Sequence, residues 1–315
     1  MSTLALSRDD NRLALAALVF GALVIGTSPI LVRLATCGPA AAGFWRLAFA
    51  TPLLTLMATA APRFGAVAGG IGTPSRAMLL AGLWFALDLG CWHYGIRYTS
   101  VANATVLPNL TPVIVTLVSW FAFRERPRPV FLLGMLTAIG GAVLMAQAAR
   151  GEPAGPTPHI GDILSASTAV WYALYFIAVR SARLTRSTVS VMLWSCLVGA
   201  PLLMITALVM REQILPATAL GWAAAAGLGL AHVFGQGSIA WALGRLPAST
   251  ASVTVLVQPV AAAVLAYFIF GETLTPLQAL GAAVALAGIV IAQQAPARRW
   301  RRQQQPSPDP RARGR

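Results

Sequence analysis

The chain has 315 residues, 57% of them hydrophobic and only 10% charged, with a mean hydropathy of +0.71. Soluble domains carry roughly 25% charged residues, so this composition excludes a water-exposed globular surface. All 23 basic residues are arginine and the net charge is +14, but the arginines punctuate long apolar runs. They do not form the basic stripe on a soluble fold that a nucleic-acid binder needs. The sequence reads as an all-α integral membrane protein.

A helix that crosses a bilayer needs about 20 mostly apolar residues, because each backbone polar group has to be paired inside hydrocarbon. Ten windows meet that need in chain order: 12–34, 40–60, 77–97, 101–123, 130–149, 160–181, 188–210, 218–244, 248–270 and 276–295. The first exceeds a signal-peptide core of about 7–15 residues and is expected to be a retained helix. The longest connections are 61–76, rich in Gly and Pro, and 150–159, with Pro153, Pro156 and Pro158. The tail 296–315 is Arg, Gln and Pro, a composition expected to be disordered. Cys37, Cys91 and Cys196 form no CxxC and no metal-ligand spacing, so no disulfide, metal or cofactor is expected.

Arginine placement sets the expected orientation. With ten spans and a cytoplasmic N-terminus, Arg8, Arg12, Arg63, Arg76, Arg124, Arg126, Arg128, Arg180, Arg183, Arg186, Arg245 and the tail arginines face the cytoplasm. Only Arg33, Arg46, Arg97, Arg150 and Arg211 fall on or near the outer side. Both termini are expected inside. Arginine-only, Ala/Gly-rich usage suggests a GC-rich bacterial genome and hence the plasma (inner) membrane.

The chain also matches itself. At an offset of 147 residues Pro112 falls on Pro259, Phe121 on Phe268, Glu125 on Glu272, Pro129 on Pro276, Gly134 on Gly281 and Gly141 on Gly288. At 149, Trp45 falls on Trp194 and Pro52 on Pro201. Each repeat then has five spans, and an odd number starts the second copy on the opposite side of the membrane. Two inverted five-helix repeats suit alternating access around a site near the midplane.

Two such repeats, each with a Pro-bearing helix, an apolar run, Glu, a short loop and a Gly-rich helix, resemble the drug/metabolite transporter superfamily, EamA-like family. Leu110-Thr111-Pro112 through Glu125, Gly134 to Gly141, their counterparts Gln258-Pro259 through Gly271-Glu272 and Gly281 to Gly288, and Phe44-Trp45-Arg46-Leu47 carry the resemblance. The first copy has Arg124-Glu125 where the family usually has Gly-Glu. The resemblance implies EamA-like repeats over 12–149 and 160–295. It further implies secondary transport of small organic metabolites, with export of amino acids or related compounds as the expected activity.

Physical roles follow for the repeat motif. Glu125 and Glu272 precede helices entered by Pro129 and Pro276, where a carboxylate complements a helix N-terminus and fixes a helical hairpin, or else serves in gating or proton binding. Pro112 and Pro259 interrupt spans four and nine, favouring kinks whose freed carbonyls face protein or water. The small-residue rows of spans five and ten suit close packing, either within the chain or in a homodimer.

Candidate substrate contacts are the polar and aromatic residues inside the spans. Asp88 is the only acid well inside one, and an intramembrane carboxylate has to pair, protonate or face a wet cavity. Trp84 and Trp92 flank it at i±4, with His93 and Tyr94 beside them. Span eight adds His232 and Gln236, span six Trp171, Tyr172 and Tyr175, and spans four and nine Asn103, Asn109 and Gln258. Arg33 and Arg46 run against the positive-inside trend and suit a substrate carboxylate, or else snorkel to outer-leaflet phosphates. The expected partners are a small-molecule substrate and the bilayer. An enzyme such as a lipid transferase would need HExxH, GxSxG or clustered acids, an ATP-driven pump would need a Walker motif, and a membrane assembly factor would need a partner domain or large loop; none occurs.

Overall fold

The computed structural model describes residues 8–60, 71–99, 107–123, 127–148, 156–270 and 275–294. Glu125, Glu272, Asn103 and the tail 296–315 lie outside them. Every regular element among the described residues is helical. In chain order these are α1 (Arg8–Ile25), α2 (Ser28–Leu34), α3 (Pro39–Ala60), α4 (Arg76–Tyr98), α5 (Thr111–Phe123), α6 (Pro129–Ala148) and α7 (Pro158–Arg183). Then come α8 (Thr188–Val209), α9 (Ala219–Ala231), α10 (Gly237–Leu243), α11 (Ala248–Thr254), α12 (Val257–Phe270) and α13 (Pro276–Gln293).

Among the described residues six segments are long and apolar enough to cross a membrane: Asp10–Leu34, Pro39–Ala60, Pro158–Arg183, Thr188–Val209, Ala248–Ile269 and Pro276–Gln293. Leu107–Phe121 and Pro129–Leu144 are shorter apolar helices. The window 77–97 is the continuous 23-residue α4, which carries Asp88, His93 and Arg97. The window 218–244 is α9 and α10 joined by a π-helical turn over His232–Gln236.

Local sequence explains the interruptions. Pro29 lacks the N–H that would bond the Ile25 carbonyl, so α1 stops there, and the Thr27 hydroxyl donates to the Val24 carbonyl at 2.7 Å. Before α5 a 3₁₀ turn covers Leu107–Leu110, and the Thr111 hydroxyl donates to the Pro108 carbonyl, which Pro112 cannot reach. Between α11 and α12 the Gln258 N–H turns to the Val255 carbonyl at 2.9 Å, one residue before Pro259.

Helices from residues 12–149 find their main partners in residues 160–295. α6 packs on α13, α4 on α7 and α8, α3 on α8 and α9, and α1 on α10 and the π turn. At the α6–α13 contact no side chain separates the backbones. A Cβ on Gly141 would stand 2.3 Å from the Ala285 nitrogen, and one on Gly288 2.3 Å from the Ala138 nitrogen. These contacts exchange under the 147-residue offset. Gly134 and Gly141 of α6 therefore meet Gly281, Ala285 and Gly288 of α13 inside one chain, whereas Gly140 faces away from that contact.

Two tryptophans fix connections at opposite ends of the helices. Trp45 of α3 donates its indole N–H to the Ile214 carbonyl at 2.8 Å, in the connection after α8. Trp194 of α8 donates to the Ile71 and Gly72 carbonyls at 3.1 and 3.2 Å, in the connection after α3. The 34–39 and 210–218 connections define one face of the molecule. The 71–75 and 183–190 segments define the other. Leu133, Leu136, Ile163, Leu208, Val209, Phe121 and Phe268 are exposed, as a lipid-facing surface requires.

Candidate functional site

The interrupted helices converge on a cavity of about 350 Å³. Ile25, Gly26, Ser28 and Pro29 bring the α1–α2 break to its wall. Pro108, Asn109, Thr111 and Pro112 bring the break before α5, and Val255, Leu256, Gln258 and Pro259 the break between α11 and α12. The π turn supplies Gln236, and continuous α3, α4 and α7 supply Arg46, Asp88, Trp92 and Tyr172. Irregular backbone at membrane depth is tolerated where it is buried in protein or lines a wet cavity, and such broken helices are where transporters bind.

The cavity runs from Gln236 and Ser252 to Arg33, Ile96 and Gln278. Those last three lie within about a turn of the ends of α2, α4 and α13 at the face of the 34–39 and 210–218 connections. Phe85 and Tyr172 form its inner wall. Behind them Tyr175 lies 4.7 Å from Phe85 and Phe176 4.8 Å from Tyr172, centroid to centroid, so an aromatic layer closes that side.

Asp88 and Arg46 are the buried charges of the lining, 7% and 3% exposed, and they attract each other. Asp88 stands roughly 15 Å from the Tyr98 end of α4 at 1.5 Å per residue. Arg46 does not snorkel. Its guanidinium carbon sits 5.4 Å from the Phe85 ring centroid, a cation–π distance, and its Nε has no hydrogen-bond partner among the described residues. Arg33 is exposed at the mouth of the same cavity.

The lining carries further polar atoms of the same kind. The Ser28 hydroxyl and the Asn109 amide nitrogen are buried without a partner among the described residues. The Gln236 and Gln258 amides meet the Tyr172 hydroxyl, and Gln236 also that of Tyr175.

Of the candidates read from sequence, Asp88, Trp92, Asn109, Tyr172, Gln236, Gln258, Arg33 and Arg46 share this cavity, as do Pro112 and Pro259. Trp84, Trp171, His93, Tyr94, Tyr175 and His232 are not in its lining. Trp84 stacks on Trp171 at 5.6 Å with the rings 9° apart. Two i+4 steps that drift by roughly 40° each set Trp84 and Trp92 roughly 80° apart about the α4 axis, so the two rings meet different neighbours. The His93 Nδ1 pairs with the Pro39 carbonyl at 2.7 Å and ties α4 to the start of α3. Tyr94 donates its hydroxyl to Glu212. Tyr175 is fully buried, and His232 packs its ring 5.2 Å from Phe85. Ser28, Thr168 and Ser252 are lining residues that the polar-aromatic stripe does not reveal. The Gly26-Thr27-Ser28-Pro29 run, a helix-breaking sequence inside an apolar window, is the signal for the first of them.

Glu212 is a further organising residue. It accepts backbone N–H groups of Ala40 at 3.1 Å and Ala41 at 2.9 Å, and so caps the N-terminus of α3 from the connection after α8. The Gly38 N–H to Gln213 carbonyl bond, 2.9 Å, and the Ala217 N–H to Thr36 hydroxyl bond, 3.1 Å, knit the same two connections.

Comparison with known proteins places this arrangement. Over 282 residues the chain is 26% identical to an uncharacterized transporter of Archaeoglobus fulgidus, covering 88% of this chain and 95% of that protein. It is 25% identical over 213 residues to the pseudopaline exporter of Pseudomonas aeruginosa, covering 67% and 70%. A solved crystal structure shares the fold with a TM-score of 0.74 at 19% identity, over 89% of this chain and 97% of that one. The pattern of the EamA-like transporter family matches twice, over residues 12–147 and 159–293. The chain belongs to the EamA-like transporter family.

Proposed function

We propose that the protein is a secondary transporter of ten membrane-spanning helices. Its two inverted five-helix repeats, 12–149 and 160–295, carry small organic metabolites by alternating access, exporting amino acids or related compounds. The observation that carries this reading is the convergence of broken helices from both repeats on one polar cavity. The mirrored α6–α13 contacts and the Trp45 and Trp194 anchors at opposite ends support the inversion. Trp92, Asn109, Gln236 and the Asp88–Arg46 pair contact the substrate, with Arg33 at the mouth attracting a carboxylate.

The mouth opens to the periplasmic side. That assignment follows the arginines: Arg12, Arg76, Arg128, Arg183, Arg186 and Arg245 cluster toward the opposite ends, as cytoplasmic segments do. In this outward-facing form the Phe85, Tyr172, Tyr175 and Phe176 layer is the closed inner gate.

Counterflow in proteoliposomes tests the proposal, screening amino acids, organic cations and nucleobase-like solutes across a pH gradient. Wild-type protein exchanges one class. Asp88→Asn and Arg46→Ala, folded as judged by gel filtration, reduce that exchange at least tenfold. Wild-type flux with unchanged pH dependence in both variants would remove the two residues from the site.

A further inference from the structure

A pocket that served only as a passage for apolar or aromatic solutes would have its polar groups satisfied by its own walls. This lining differs. Beside the Asp88–Arg46 pair it presents Ser28 and Asn109, each with a buried polar atom lacking a partner among the described residues, an orphan Nε on Arg46, and the Gln236 and Gln258 amides, which meet the Tyr172 hydroxyl. Arg46, Ser28 and Gln236 are each at least nine-tenths buried. All five residues carry donor groups, whereas Asp88 is the only carboxylate in the lining. Their positions are backbone-determined. Ser28, Asn109 and Gln258 sit at the three helix breaks, and Gln236 ends the π turn.

From this arrangement we infer that the substrate is an acceptor-rich zwitterion: an amino acid whose side group itself ends in a carboxylate or carboxamide. This inference rests on the transport reading above and gives that site its specificity. The α-carboxylate takes the Arg46 guanidinium and the ammonium group takes Asp88. The side-group oxygens take the Asn109, Gln236 and Gln258 amides. A cavity of about 350 Å³, at the small end of the roughly 300–1,000 Å³ usual for ligand pockets, suits a molecule of that size. Selectivity follows from the penalty for leaving buried donors unpaired. A site built to hydrogen-bond a group rejects analogues lacking it by up to roughly 10⁴-fold, whereas an apolar pocket separates near-isosteres by only roughly 10–200-fold.

The test uses the purified full chain in lipid nanodiscs, with competition against radiolabelled glutamine and glutamate by L-leucine, L-phenylalanine and L-lysine. Counterflow of the same solutes is measured in parallel. Glutamate or glutamine is expected to bind at least about 100-fold more tightly than leucine or phenylalanine. Asn109→Leu with Gln258→Leu cuts that ratio below tenfold. Gln258→Glu, which keeps a polar side chain of the same length, weakens glutamate more than glutamine because it sets a second anion beside the anionic side group. Leucine, phenylalanine or lysine binding as tightly as glutamine overturns the inference while leaving transport intact. So does flux of other solutes without amino-acid binding. Absence of flux for every solute by folded protein overturns the transport reading, and the inference with it.

Discussion

Replacing Glu212 removes a tie between the first and second halves of the chain, and its effect can be worked from three contacts. The carboxylate accepts the Ala40 and Ala41 N–H groups at 3.1 and 2.9 Å and the Tyr94 hydroxyl. A hydrogen bond to a charged group contributes about 1.5–3 kcal/mol net, and a carboxylate at a helix N-terminus about 0.3–1 kcal/mol when exposed. All three contacts are only partly buried, so water reaches the groups that Glu212→Ala would free. The expected loss is therefore about 2–4 kcal/mol, below the sum of the separate bonds. Glu212→Gln keeps one oxygen but turns an NH₂ toward incoming donors, and should cost about 1–2 kcal/mol. Tyr94→Phe alone should cost about 1 kcal/mol. The diagnostic quantity is the coupling in a cycle of Glu212→Gln, Tyr94→Phe and the double variant, measured by thermal unfolding in one detergent at one pH. Residues in direct contact give about 0.5–3 kcal/mol of coupling, and about 1 kcal/mol is expected. Costs that simply add, to within about 0.3 kcal/mol, would refute the contact and the cap built on it.

Other consequences are as specific. Gly288→Ala places a methyl 2.3 Å from the Ala138 backbone nitrogen, where no side chain can yield, whereas a methyl on Gly140 meets nothing within 4 Å. The first should cost about 3 kcal/mol or more and greatly reduce folded yield, while Gly140→Ala is neutral or stabilising by up to about 1 kcal/mol; equal yields would contradict the backbone-to-backbone contact. Burial, then the nearby Glu212 charge, pushes the Cys37 thiol up from about 9 to about 11. Labelling of Cys37 by a charged methanethiosulfonate at pH 7.5 should be about 100-fold slower than for an unperturbed thiol, rising about tenfold per pH unit, and Glu212→Gln should accelerate it; a rate flat between pH 7 and 9 would count against this. Trp45→Phe and Trp194→Phe each remove one indole anchor and should each lower stability by about 0.5–1.5 kcal/mol, measured by the same thermal unfolding; a loss in only one would mean the two ends are not equivalent.

Helix positions were legible because apolar length is a direct demand of the bilayer. The windows 77–97 and 188–210 correspond to Arg76–Tyr98 and Thr188–Val209 within a residue or two. Breaks signalled by proline inside an apolar run, at Pro112 and Pro259, were also readable. The Gly26-Thr27-Ser28-Pro29 run carries a local signal for the first break, but the π turn has none and sits inside a window whose average hydropathy hides it. The candidate site was legible in part for a related reason. Asp88 and Arg46 stand out as charges in hydrocarbon, but a side chain's direction depends on helical phase, which places His93, Trp84 and Tyr175 in packing contacts away from the cavity. Glu212 had no local signal, since its partner Ala40 is 172 positions away.

The cross-half pairing of helices has a consequence for how lesions propagate. α6 lies against α13, α4 against α7 and α3 against α8, so neither half possesses an interior of its own. Interdigitated in this way, the two halves share a single cooperative unit. A cavity or clash introduced into one is felt by the facing helix of the other. Damage to either half is then expected to unfold both together, in one transition, with no half-folded species surviving in the membrane.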